Sequence, residues 1–151
     1  MASLAVMTLR RTMREFRIDP GRRYLSGISM GGTGVWSIGA RHPGLFAALV
    51  PICGALHFPA AEGGAPESPA NVALCAELAV HIGDAPVWIF HGAQDPVVPV
   101  GYARQMAQTL KTRGSPVRYT EYAQDGHAIW DRVYDDEDFC AWLFEQRGSD
   151  R

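Results

Sequence analysis

The chain has 151 residues, 47% of them hydrophobic and 20% charged, a balance that suits one globular domain over 1–151 and excludes disordered and fibrous classes. A formal net charge of −2 argues against a protein built to hold nucleic acid, and no apolar run reaches the roughly eighteen residues that span a membrane. Cys53, Cys75 and Cys140 are an odd number without CxxC or zinc-finger spacing, so they read as buried free thiols in a reducing, cytoplasmic setting.

Residues 3–17 place Val6, Leu9, Met13 and Phe16 at helical spacing, with arginines on the opposite face. The arginines follow the short apolar run, the wrong order for a secretory signal, and an amphipathic helix is a plainer reading than a transit peptide. Asp19-Pro20-Gly21 breaks the helix. Residues 23–28 are short, partly apolar and β-prone. After Gly31, Gly32 and Gly34, residues 35–40 read as a small-residue helix ending near His42-Pro43. Residues 45–53 (LFAALVPIC) form a continuous apolar run of the kind found in buried parallel strands.

Residues 54–69 are rich in Gly, Pro and Ala and predict a loop, the most mobile part of the chain. A short helix is expected over 71–81, a buried strand over 86–91, and a helix over 102–113 stopped by Gly114. Residues 117–122 alternate as a strand should, and 136–147 close the chain as a helix with Phe139, Trp142 and Leu143 on its apolar face. Strands alternating with helices predict an α/β fold with a short, mainly parallel sheet of about four strands.

Gly27-Ile28-Ser29-Met30-Gly31 matches G-x-S-x-G, in which a strand turns sharply into a helix and lifts a serine above the sheet. The motif alone is weak, and an ordinary Gly-rich turn or a phosphate loop is the plainer alternative. Neither GxGxxG nor GxxxxGK[ST] is present, and the strand before and helix after Ser29 favour the elbow. A serine hydroxyl needs a base, and the base needs an orienting carboxylate. Asp95 follows the strand 86–91 and His127 follows the strand 117–122, so Ser29, Asp95 and His127 each lie just past a separate strand. Taken alone, Asp95 before Pro96 is equally a turn or cap residue, and His127 after Asp125-Gly126 is equally a turn residue. It is their order and placement together that favour a triad.

Asp84, Asp125 and Asp131 are less well placed as the acid. His42 reads as a helix-end residue and His91 as a strand-end residue, while His57, in the Gly/Pro loop, reads as a solvated loop position with a pocket-lining place as the alternative. Trp36, Trp88 and Trp142 read as core. Trp130, three residues after His127, and Val97, in the turn after Asp95, are the side chains expected beside a substrate. No HExxH and no His/Cys cluster at ligand spacing occurs, so no metal or other cofactor is expected.

The stretches RYLSGISMGGTGVW, ARHPGLFAALVPICG, PVWIFHGAQDPVVPV and DGHAIWD resemble, in sequence and order, the C-terminal half of bacterial serine carboxylesterases of the α/β-hydrolase superfamily. The phospholipase/carboxylesterase and dienelactone-hydrolase-like branches are nearest, with prolyl-oligopeptidase-type peptidases as cousins. The resemblance implies Ser29 as nucleophile, His127 as base, Asp95 as its orienting acid, and the Met30 amide as an oxyanion donor. It implies a serine esterase of small carboxylic esters. A non-catalytic remnant or interaction module, and a peptidase or acyltransferase on the same triad, stay open. The family's usual N-terminal strands and the HGGG-like loop that gives a second oxyanion donor have no counterpart ahead of Ser29. The strand ending at Ser29 is therefore expected at an exposed edge, covered by a second subunit of a homo-oligomer.

Overall fold

Four strands alternate with helices in the computed structural model, which describes residues 2–57 and 64–148. The elements are α1 (Ala2–Glu15), β1 (Tyr24–Ile28), α2 (Met30–Arg41), β2 (Ala48–Ile52), α3 (Pro69–Ile82) and β3 (Val87–Gly92). They continue with α4 (Gly101–Arg113), β4 (Val117–Tyr122), α5 (Trp130–Tyr134) and α6 (Glu137–Glu145). The strands form one parallel sheet in the order β1-β2-β3-β4, with Tyr24 opposite Ala48, Leu49 opposite Val87, and Val87 opposite Val117.

That order has a consequence for the layers. Each new strand is added on the same side of the last, and parallel crossovers are right-handed, so every crossover helix falls on one face. Val35 and Trp36 of α2, Cys75 and Ala79 of α3, and Tyr102, Met106 and Leu110 of α4 accordingly pack on Leu49, Val87 and Ile89, together with Val6 of α1. The chain after β4 makes no further crossover and covers the opposite face. There α5 and α6 bring Val133, Phe139 and Trp142 onto Ala48, Val50, Ile52, Trp88 and Phe90. Trp88 stacks on Phe90 with ring centroids 5.0 Å apart and meets Trp142 edge-on at 5.2 Å.

The structure adjusts the expected boundaries. α2 begins at Met30, five residues earlier than expected, because close packing of Gly32 on the end of β2 outweighs the poor helix propensity of Gly31, Gly32 and Gly34. α3 begins at Pro69, whose missing N–H is no loss at the first helical position, and Ser68 accepts a hydrogen bond from the Asn71 amide at 3.3 Å. The five-residue α5 is an addition, and the last helix stops at Glu145. The expected loop does follow β2, but the mobility expected of it falls in part on residues 58–63, which lie outside the described residues. β1 ends the sheet among the described residues. No helix in them is long and apolar enough to cross a membrane.

Candidate active site

Ser29 sits between β1 and α2 with φ 56° and ψ −116°, a backbone conformation that costs a non-glycine residue about 1–3 kcal/mol. The surroundings hold it there. Its N–H donates to the Ile52 carbonyl at 2.8 Å, and its own carbonyl accepts from the Thr33 N–H at 3.1 Å. A Cβ on Gly27 would overlap the Gly31 carbonyl, so the turn closes only with glycine at that position. A Cβ on Gly32 would lie 2.8 Å from the Gly54 Cα, so the start of α2 also sits directly against the end of β2. Met30 opens α2, and first-turn amides have no acceptor within their own helix. Those amides and the helix dipole therefore favour negative charge beside Ser29.

Asp95 lies in the turn after β3, its side chain fully buried. Oδ1 accepts from the Val97 amide at 2.8 Å and the Val98 amide at 2.9 Å, the turn-forming role that its sequence context also allowed. Oδ2 lies 2.7 Å from Nδ1 of His127. Burial works to raise the carboxyl pKa, but the His127 hydrogen bond and the two amides outweigh it and hold the group below the usual range.

His127 is carried by the loop after β4. A Cβ on Gly92 would overlap the Gly126 and Asp125 carbonyls, so the end of β3 is glycine where this loop lies on it. The Gln94 amide donates to the Asp125 carbonyl at 2.9 Å, and the Cys53 thiol donates to the His127 carbonyl at 3.3 Å. The Asp95 carboxylate assigns the ring proton to Nδ1. Nε2 is then an acceptor, and the Ser29 hydroxyl lies 2.9 Å from it. Three residues distant in sequence thus form one hydrogen-bonded line at the carboxyl edge of the sheet.

Other expected residues fall as follows. Trp130 opens α5 and meets the His127 ring edge-on, centroids 6.2 Å apart. Val97 is exposed on the Asp95 turn, and the Met30 side chain is also exposed. Asp125 is drawn to Arg132 at 2.6 Å. Asp84 and His42 line a cleft of about 710 Å³ at the opposite, amino end of the strands. His57 is half-buried rather than solvated, because its Nε2 is hydrogen-bonded to Asn71 Oδ1 at 2.5 Å. His91 is wholly buried beside Asp95, with Nε2 3.1 Å from Oδ2, a placement that sequence reasoning missed.

Cys53, His91 and Asp95 are the one trio of metal-ligating side chains found close together among the described residues. Their chemistry does not fit an ion. The Asp95 oxygens already face four N–H groups, and burial pushes the Cys53 thiol up to about 12, so it stays protonated.

The model of the dienelactone hydrolase family matches residues 5–139. Among curated proteins none matches. Of solved structures, the chain is similar to a thermostable esterase, with 37% identity and a TM-score of 0.75 over 95% of this chain and 36% of that one. It is also similar to the esterase PE8 (22% identity, TM-score 0.63, 95% and 59% covered). A third similar structure is the acylaminoacyl peptidase of Pyrococcus horikoshii (17%, 0.65, 82% and 23%). The chain spans between about a quarter and three fifths of these neighbours' lengths. The sheet and its helices are those of the α/β-hydrolase fold.

Proposed function

The chain belongs to the dienelactone hydrolase family, and from that premise we propose that it is a serine esterase of small carboxylic esters. The observation that carries the proposal is the continuous line from Asp95 Oδ2 to His127 Nδ1 at 2.7 Å and from His127 Nε2 to Ser29 Oγ at 2.9 Å. In this reading Ser29 Oγ attacks the ester carbonyl while His127 Nε2 takes its proton. The buried Asp95 carboxylate holds the ring in the tautomer that leaves Nε2 free and balances the imidazolium that forms. The Met30 amide faces the oxyanion. His127 returns the proton to the leaving alcohol, and water, deprotonated by the same Nε2, then releases the acid from Ser29.

Esters suit this site better than amides. An ester carbonyl is more reactive than an amide and its alcohol leaves more readily, so it asks less of the oxyanion donors at the start of α2. Cys53, Cys75 and Cys140 are all free thiols, which fits a reducing, cytoplasmic setting.

Hydrolysis of p-nitrophenyl acetate and butyrate tests the proposal. Turnover is expected in the wild-type chain, with kcat lowered at least about 10³-fold by Ser29→Ala and by His127→Ala. A fluorophosphonate should form one adduct, on Ser29. Unchanged hydrolysis in Ser29→Ala would remove it as nucleophile. An unlabelled, inactive wild-type chain would favour an interaction module instead.

A further inference from the structure

His91 lies near the end of β3, fully buried, four residues before Asp95. Its Nε2 is 3.0 Å from the Val98 carbonyl oxygen and 3.1 Å from Asp95 Oδ2. A carbonyl and an ionised carboxylate are acceptors only, so Nε2 carries the hydrogen and shares it between them. Nδ1 is buried without a partner among the described residues. A proton there would bury a full charge and an unanswered N–H, so the ring is a neutral donor. Burial also drives the imidazole towards its neutral form, against the pull of the Val98 carbonyl and of Asp95.

Viewed from Asp95, the two turn amides fix Oδ1. Oδ2 receives His127 Nδ1 at 2.7 Å and His91 Nε2 at 3.1 Å. Without His91, Oδ2 would lose its second ring N–H and be left with the ring it has to orient and the neighbouring Cys53 thiol, a weak donor. We propose that His91 is a positioning residue, a neutral second donor that fixes Asp95 Oδ2 and through it the plane of the His127 ring relative to Ser29. The proposal rests on the reading of Ser29, His127 and Asp95 as a triad. His91 meets no substrate and acts only through the carboxylate. Neutrality is part of the role: a cation here would cancel the charge that the His127 imidazolium needs.

Two variants separate this role from packing. His91→Phe keeps a ring and removes the donor, whereas His91→Gln carries an amide N–H to about the place of Nε2. With p-nitrophenyl acetate, His91→Phe should lower kcat about 10- to 100-fold with little change in KM, and His91→Gln should recover most of the loss. Wild-type kcat in His91→Phe, or equal losses in both variants, overturns the proposal.

NMR supplies a readout besides activity. The downfield His127 Nδ1 proton should move or broaden in His91→Phe and stay in place in His91→Gln; no change in the Phe variant overturns the proposal. In the wild-type chain, nitrogen-15 labelling should show His91 protonated at Nε2 and bare at Nδ1, and a protonated Nδ1 overturns it whether or not the variants fold. If the wild-type chain hydrolyses no ester, the esterase reading fails, while the two NMR readouts still decide the role of His91.

Discussion

Ser29 holds its positive φ only because its neighbours leave no alternative, and the glycines around it differ sharply in what they contribute. Gly27 packs against the Gly31 backbone with no room for a Cβ, whereas Gly34 of α2 faces open space with ordinary helical φ. Gly27→Ala should therefore destabilise the protein by about 1–3 kcal/mol, as overpacking does. Gly34→Ala should stabilise it by about 0.5–1 kcal/mol through helix propensity. Urea unfolding of both variants checks the contrast, and equal effects would show that the elbow is not sterically closed. At this scale Ser29, Asp95 and His127 were legible, because strand ends place residues at one sheet edge whatever the details between them. His91 was not. Its partner depends on how residues 95–98 turn back over the strand, and only the assembled turn brings Val98 and Asp95 to it. His57 took the pocket-lining place of its two readings rather than the solvated one, because Asn71 reaches it from another element.

Between elements, α4 and β4 are joined by Arg104, which meets Glu121 with two short hydrogen bonds, at 2.5 and 2.9 Å. Tyr119 donates to the same carboxylate at 2.5 Å. The Arg104 hydrogen bonds, helped by Tyr119 and opposed by partial burial, pull the Glu121 pKa from 4.5 to about 2. A depressed folded-state pKa means stability that is present above pH 4.5 and lost as pH falls towards 2. Arg104 is more than half exposed, so solvent screening leaves a contribution of at most about 1 kcal/mol. Thermal unfolding between pH 5 and 2, pH values chosen to bracket that window at roughly one-unit steps, should show a shallower acid decline in Glu121→Gln than in the wild-type chain. Parallel curves would remove Glu121 from the acid response. The alternation that fixed the element order was legible because buried parallel strands are near-continuous apolar runs, as β2 is throughout and β3 is from Val87 to Phe90. α5 was not: five residues give one turn and a half, and only Val133 of them is buried, too little to form a period.

At the scale of the whole sheet, the outer edge of β1, which pairs with no further strand among the described residues, is the surface with the largest consequence. The Ser29 N–H and the Arg23 carbonyl both point to β2, so the backbone groups of Tyr24, Ser26 and Ile28, alternating with them, point outward. Beside that edge stand Tyr134, bonded to Ser26 at 2.6 Å, and Phe144, edge-on to Tyr24 at 6.0 Å, both largely apolar and exposed. A strand with unpaired polar groups flanked by exposed rings is a template for another strand. We predict that a second copy of the chain covers it, so that light scattering at micromolar concentration gives a dimer or larger species. Ser26 is exposed and its N–H faces away from β2, so Ser26→Pro should block edge pairing while sparing the β1–β2 ladder. The variant should run as a monomer and still react with a fluorophosphonate at Ser29, because Asp95 and His127 are held by β3 and β4 on the far side of β2. A wild-type chain that is monomeric at that concentration overturns the pairing. A variant that is monomeric but unreactive would mean instead that the second copy completes the surroundings of Ser29.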